Sequence, residues 1–413
     1  MKTIWLVLLM AVLNPGREIM ARERRNSESL VDTLEQKRDA RVGHFGHRLE
    51  GEYRGGYIFQ TNRFLAGYNE REKVIDRFNA MHLKYAFQAR QGTLEERVFG
   101  GVYQGVGVAW YRFGNRREVG EPGVVYLFQG ARIARFSPCV SLNYEWNFGL
   151  SWGWHPYDKE HNSYNVMMGS RVNAFINTNF YLDWEASSRV RLRLGLDLAH
   201  FSNGNTRLPN AGLNTIGAKL GLVYCLDGDN TERFKTLMEG MPVFQRHMSY
   251  DVVLFGSWRR KVYEESGEFV LSPSAYAVLG AGVSAMYNLS YKVRLGGAFD
   301  VVYDASANEF YAHDPSMGSG FVKPPLSAKV ALGVSARAEY VMPFFTVGVG
   351  LGRNVLHRGG ELKAFYQMLY LKLAVTRSTF LHVGYRLQEF STPNYLMLGV
   401  GFRLNNKYPR FQR

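Results

Sequence analysis

The sequence has only two cysteines, Cys139 and Cys225, and 13 prolines in 413 residues, and no uninterrupted apolar stretch of membrane-helix length, which would take about 18 residues or more. Two cysteines exclude a disulfide-stapled miniprotein and a cysteine-rich zinc fold. Acidic residues are also short: 36 Asp and Glu stand against 50 Lys and Arg, a formal net charge of +14. Glycine, by contrast, occurs 43 times and aromatic residues make up 14% of the chain. That enrichment with so little proline excludes a disordered chain, a collagen-like repeat and a coiled coil.

Met1 and Lys2 precede an apolar run from Thr3 to Leu13, too short to span a bilayer and shaped like the apolar region of an export signal. Residues 1–21 are expected to be a signal peptide, and 22–44 a mixed-charge periplasmic leader running from Arg22 through Arg41.

From about residue 45 the chain alternates with a period of two, the period of strands whose two faces meet different surroundings. About sixteen such segments lie between 48 and 404, within a range of 12–16. Most exceed the five or six residues typical of soluble strands and reach the roughly 9–11 needed to cross a membrane as a barrel. The links alternate as well. Long polar links at 63–80, 114–122, 156–164, 203–212, 261–273, 305–325 and 354–362 interleave with tight ones such as Phe136-Ser137-Pro138, Ser187, Val341-Met342-Pro343 and Thr376-Arg377. Long loops outside the cell and short turns in the periplasm are the pattern of an outer-membrane barrel. The expected fold is therefore all-β, an antiparallel transmembrane barrel of the bacterial outer membrane.

One link on the short side is long. Residues 227–245 divide the strands eight and eight, so 45–226 and 246–413 are expected to be two halves of one large barrel, with two eight-stranded barrels as the alternative. Cys139 and Cys225 fall at periplasmic strand ends, either bridged, as that compartment permits, or buried as small side chains. Trp110, Trp152, Trp154, Trp184 and Trp258 fit interfacial girdles.

The stretch from Arg189 to Tyr224 carries the chemistry. On its first strand Val190, Leu192, Leu194, Leu196 and Leu198 occupy one face, while Arg189, Arg191, Arg193, Gly195, Asp197 and Ala199 occupy the other. The apolar face must meet lipid. Continuing its register gives His200 and Ser202, and on the returning strand the face of Ile216, Ala218, Leu220 and Leu222 extends back to Asn214. Three polar groups thus project toward lipid at the end with the long loops. A serine becomes a nucleophile when an imidazole takes its proton, and an amide oxygen can hold that imidazole in the required tautomer. His200, Ser202 and Asn214 are accordingly the candidate catalytic residues. Asn203, Gly204 and Asn210, in the intervening loop, are candidates to face an oxyanion.

Other polar groups have plainer readings. His155, Asp158 and His161 are expected to make turn and solvent contacts, not to bind a metal. Arg189, Arg191 and Arg193 are expected to pair with acidic residues inside the barrel, not to contact nucleic acid. No cofactor is expected.

With His200, Ser202, Asn203, Pro209, Asn210 and Gly212 in register, the chain resembles the PagL-like lipid A 3-O-deacylases, the outer-membrane acyloxyacyl hydrolases. The stretches Trp154-His155-Pro156-Tyr157-Asp158 and 165–177 are similar to longer members. The resemblance covers 45–226 and implies removal of an ester-linked 3-hydroxyacyl chain from lipid A, with lipopolysaccharide of the outer leaflet as partner. It assigns attack to Ser202, proton transfer to His200, and the oxyanion to Asn210 with backbone N–H groups near Asn203 and Gly204. The departure is at Asn214, where the family has glutamate. Two other readings stand beside this one: a noncatalytic porin or structural barrel that keeps a degenerate site, and a soluble periplasmic β protein.

Overall fold

The computed structural model describes residues 45–408 except 91–92, 228–242, 266–267, 273, 315–317, 361 and 390–391. The expected signal peptide and leader, and most of the 227–245 connection, lie outside the described residues.

Eight antiparallel strands form a first ring: β1 (Phe45–Ile58), β2 (Arg77–Ala89), β3 (Tyr103–Arg112), β4 (Gly120–Arg135), β5 (Val140–Trp154), β6 (Val172–Glu185), β7 (Val190–Ser202) and β8 (Leu213–Cys225). The ring closes because β1 pairs with β8, from Arg48 opposite Cys225 to Ile58 opposite Thr215. A second ring consists of β9 (His247–Arg259), β12 (Tyr276–Asn288), β13 (Val293–Asp304), β16 (Val330–Val341), β17 (Phe345–Leu356), β18 (Phe365–Ala374), β19 (Thr379–Gln388) and β20 (Thr392–Leu404). It closes between β20 and β9, with Leu398 opposite Gly256. Two small hairpins, β10 (Val262–Glu265) with β11 (Glu268–Leu271) and β14 (Phe310–Asp314) with β15 (Gly318–Val322), lie in the long links of the second ring.

The sixteen ring strands agree with the expected number, but they do not form a single large barrel. They close as two barrels of eight, the alternative reading of the long 227–245 link. An eight-stranded ring has an interior just wide enough for its own side chains, and both interiors are filled with paired charges. In the first ring, Arg54 reaches Glu52 and Asp197, both at 2.5 Å, Lys84 reaches Glu145 at 2.7 Å, and Lys219 reaches Glu52 at 2.7 Å. In the second, Arg294 meets Glu339 at 2.6 Å, and Lys372 and Arg403 meet Asp251, both at 2.8 Å.

The alternation read from β7 is present: Leu194 and Leu196 are each 60% exposed, while Arg193 and Asp197 on the other face are 1% and 0% exposed. Arg193 pairs inside with Glu50 at 2.6 Å and Asp183 at 3.0 Å, and Arg191 with Glu185 at 3.0 Å. Arg189 instead lies exposed and donates to the Tyr224 hydroxyl at 3.3 Å. A continuous surface of large apolar side chains without a covering layer is stable only against lipid.

Three local expectations are corrected. Trp152 is exposed on the outer face, but Trp154 is buried and donates from its indole to Ser151 Oγ at 2.9 Å. Positive φ at Gly153 and Gly120, 89° each, and a register shift between Gly120 and Gly123 break the alternation there. The alternation predicts a strand over 165–186, but residues 165–171 belong to a loop: the Asn165 amide donates to the carbonyls of Glu118 and His155 at 3.0 and 2.8 Å, which ties this segment across the barrel mouth. Cys139 and Cys225 are free thiols, the former exposed and the latter half-buried, so neither the bridge nor the buried pair forms.

Apolar packing lies at both ends of the first ring. Over the mouth of the first ring, Phe64, Leu65, Phe113, Met167 and Met168 of the long loops form an apolar cap that packs with Phe201 of β7. At the opposite end, where the turns are short, helix α1 (Leu94–Phe99) contributes Val98 and Phe99 to a cluster with Ala131 and with Tyr291 of the second ring. Thr93 caps α1 by accepting the Glu96 N–H, and Gly100 ends it in the left-handed region, as helix termini favour. Trp146 meets Phe345 edge-on at 4.9 Å, and Gln129 donates to the Pro343 carbonyl at 3.0 Å, so the two rings are in contact.

Candidate active site

The last turnless residues of β7 alternate strictly: Ala199 and Phe201 are buried inside, His200 and Ser202 face out. On β8, Leu213 is fully buried and Asn214 faces out. Phe201 and Leu213 are cross-strand partners, as are His200 and Asn214. Burying the two apolar partners in the cap cluster fixes the register, and the register places the imidazole against the carboxamide.

The three predicted catalytic side chains form one hydrogen-bonded chain. His200 Nδ1 lies 2.7 Å from Asn214 Oδ1. His200 Nε2 lies 2.9 Å from Ser202 Oγ. An amide oxygen only accepts, so Nδ1 carries the ring proton and Nε2 presents its lone pair to the serine hydroxyl. That is the tautomer a general base requires. Gly212 makes room for it: its φ is +72°, and a Cβ there would stand 3.1 Å from the Phe201 carbonyl oxygen and 3.2 Å from His200 Cε1.

Asn203 and Asn210 are brought together in the loop. Asn203 N–H donates to Asn210 Oδ1 at 3.0 Å, and the Asn210 amide donates to Asn205 Oδ1 at 3.1 Å. The Asn203 side chain donates to Ser170 Oγ at 2.9 Å and to the Arg207 carbonyl at 2.8 Å. Both asparagines therefore stiffen the turn that follows Ser202. Gly204 has a φ of +62°, and among the described residues its N–H has no acceptor. The loop is held from the cap side by Gly212 N–H on the Met167 carbonyl at 3.1 Å. Gly169 touches it so closely that a Cβ would fall 2.6 Å from the Leu208 carbonyl.

Sequence reasoning missed Ser170, which orients Asn203, and the apolar anchors Phe201 and Leu213. The anchors were legible in principle as the inward positions adjoining the polar pair. Ser170 carried no local signal. Of His155, Asp158 and His161 the last two touch, His161 Nδ1 lying 3.2 Å from Asp158 Oδ1. The His155 ring contacts the Arg117 carbonyl at 2.8 Å, and Asp158 Oδ1 accepts the backbone N–H groups of Glu160 and His161 at 2.9 Å each. Those backbone donors hold the Asp158 carboxyl below its ordinary range. Three carboxylates, of Glu50, Glu52 and Glu145, do come close enough to share an ion. Lys84 already lies within 3.1 Å of an oxygen on each of them.

The fold and the constellation define a class: a transmembrane β-barrel with hydrolase-type groups on its lipid-facing wall. Residues 81–223 match the family model of the lipid A 3-O-deacylases (PagL), and residues 248–406 match that of the acyloxyacyl hydrolase C-terminal domain. The two matches together take in most of the chain, which belongs to the PagL lipid A 3-O-deacylase family. Comparison with curated proteins gives no match. Among solved structures, the chain is similar to Neisserial surface protein A (8% identity, covering 44% of this chain and 97% of that one, TM-score 0.27). It is also similar to the siderophore receptor PirA from Acinetobacter baumannii (6% identity, 84% and 56%, TM-score 0.25) and to a mutant Rh. blastica porin (9% identity, 87% and 100%, TM-score 0.16).

Proposed function

We propose that this chain is an outer-membrane esterase that removes an ester-linked 3-hydroxyacyl chain from lipid A by a Ser-His-Asn mechanism. The observation that carries the reading is the unbroken chain from Ser202 Oγ through His200 to Asn214 Oδ1, at 2.9 and 2.7 Å, on the membrane-facing wall beside the long loops. The family supports lipid A as the substrate class. Lipopolysaccharide fills the outer leaflet, so its ester linkages lie at the level of this rim.

In this mechanism Ser202 Oγ attacks the ester carbonyl carbon as His200 Nε2 takes the hydroxyl proton. The tetrahedral oxyanion is met by the Gly204 N–H, in the turn braced by Asn203 and Asn210. Collapse breaks the bond to the sugar oxygen, and the imidazolium returns the proton to that oxygen. Water, deprotonated by His200, then attacks the acyl-serine ester. A 3-hydroxy fatty acid leaves and Ser202 regains its proton. Each well-aimed oxyanion donor is worth about 3–4 kcal/mol of barrier. Asn214 fixes the imidazole tautomer but offers the imidazolium no negative charge, which a carboxylate would.

That neutral third member also favours a second reading, a barrel that keeps the arrangement with little or no turnover. One experiment separates them. Purified protein in detergent is incubated with lipopolysaccharide and the lipid is analysed by mass spectrometry. The esterase reading expects lipid A lighter by one 3-hydroxyacyl chain, with Ser202→Ala abolishing the change. Intact lipid A, or equal release by the Ser202→Ala protein, overturns it.

A further inference from the structure

The loop that follows the serine is held from two sides, and one of them is the second barrel. A Cβ placed on Gly204 would lie 3.7 Å from Leu396 Cβ and 3.8 Å from Tyr385 Cε2. The next residue is tied as well: Asn205 accepts the backbone N–H of Arg260, at the outer end of β9, at 3.4 Å. Gly204 is two residues beyond Ser202, so a wall of the second ring stands against the loop that follows the proposed nucleophile.

That wall is apolar. β19 and β20 are the seventh and eighth strands of their ring, as β7 and β8 are of theirs. Where β7 ends in outward His200 and Ser202, β19 ends in outward Tyr385 and Leu387, so this strand presents an aromatic ring and an aliphatic side chain in place of the imidazole and hydroxyl. Along the outward face of β20 the exposure falls toward the loop. Tyr385 and Leu396, near the loop, are half-buried, whereas Leu398 and Val400, farther along the same outward face of β20, are 40% and 46% exposed. Below Ser202 on the first ring, Leu198, Leu196 and Ile216 form an exposed apolar rib.

We infer that the second barrel completes the substrate site: Tyr385 and Leu396 form the far wall of the acyl-chain path whose near wall is the rib of Leu196, Leu198 and Ile216, and so set selectivity for long chains. This rests on the esterase reading above. A single wall facing fluid lipid gives an acyl chain no more contact than the bilayer does, because lipid tails are as apolar as leucine. Two walls of fixed spacing replace mobile neighbours by ordered ones and hold the ester carbonyl against Ser202. Selectivity then comes from positioning, with Tyr385 and Leu396 touching the chain and not the reacting atoms.

The test uses the full chain in detergent with two probes, p-nitrophenyl dodecanoate and p-nitrophenyl butyrate. Each added methylene that finds a wall contributes severalfold, so the unmodified protein is expected to favour the dodecanoate. Leu396→Asp and Tyr385→Ala are expected to lower the dodecanoate-to-butyrate ratio of kcat/KM roughly tenfold or more. Phe299→Ala, on the outer face of β13 and 72% exposed, is expected to leave that ratio at its original value. Heat-modifiable migration on gels reports that each variant is folded, and Leu396→Ala serves in place of Leu396→Asp should the charge prevent folding. An unchanged ratio in the wall variants overturns the inference, and so does an equal fall for both esters, which is the mark of a merely structural role. If the unmodified protein hydrolyses neither ester nor lipopolysaccharide, the esterase reading fails first and this one with it.

Discussion

His200 and Asn214 are direct partners across the β7 and β8 ladder, and the 2.7 Å contact between Nδ1 and Oδ1 is therefore set by strand register. The geometry of the proposed base is as rigid as the sheet. A carboxylate put at the same place inherits the same contact and adds charge.

Asn214→Glu is thus expected to leave the barrel folded and to raise kcat on lipopolysaccharide by about tenfold or more, since exchanging a triad carboxylate for its amide can cost far more than that in serine hydrolases. Initial rates of fatty-acid release measure it. An unchanged rate would separate Asn214 from the imidazole.

In the proposed mechanism Ser202 and His200 act in one proton transfer. Ser202→Ala, His200→Ala and the double variant are expected to fall to the same residual rate, because groups that work as a unit are not additive. Single-turnover release of 3-hydroxy fatty acid reports this. A double variant slower than either single one by the product of their effects would mean that the two groups act separately.

At Gly212 a Cβ would meet both the Phe201 carbonyl and the His200 ring, and its φ of +72° suits glycine. Gly212→Ala is expected to cost roughly 1–3 kcal/mol of local strain and to lower kcat more than it raises KM, as the imidazole is pushed off the serine. Steady-state kinetics on the folded variant check this.

Arg54 pairs inside the first ring with Glu52 and Asp197, and all three side chains are fully buried. Arg54→Met leaves two carboxylates with fewer partners in a space closed to water. It is expected to destabilise the barrel by about 3–5 kcal/mol, the usual effect of removing one member of a buried pair. A lower urea midpoint for unfolding in vesicles measures it.

Much of this site was legible from alternation alone. Leu192 to Leu198 against Arg193 and Asp197 left no freedom over which face met lipid, and the register carried on to His200 and Ser202. What alternation does not encode is which strand closes a ring. Tyr224 on β8 reads the same whether its partner is a following strand or, as found, Leu49 on β1. The count of strands was therefore readable and their division into two barrels was not, except through the length of one link. Trp154 escaped for a related reason: two glycines at positive φ insert a break that no pattern of hydrophobicity announces. Asn203 and Asn210 read as loop residues facing an oxyanion, but no local pattern shows that the Asn203 N–H goes to Asn210 Oδ1 or that the Asn203 side chain reaches Ser170 in a different loop.

The charges packed along both axes bear on how the cell can tolerate the protein. Arg54 with Glu52 and Asp197 in one ring, and Arg294 with Glu339 and Lys372 with Asp251 in the other, occupy the space through which solutes would pass. Side chains that occupy both bores in this way narrow any route for solutes, and little leakage is expected as copies are added to a membrane. The outside of the cylinder is left to do the work.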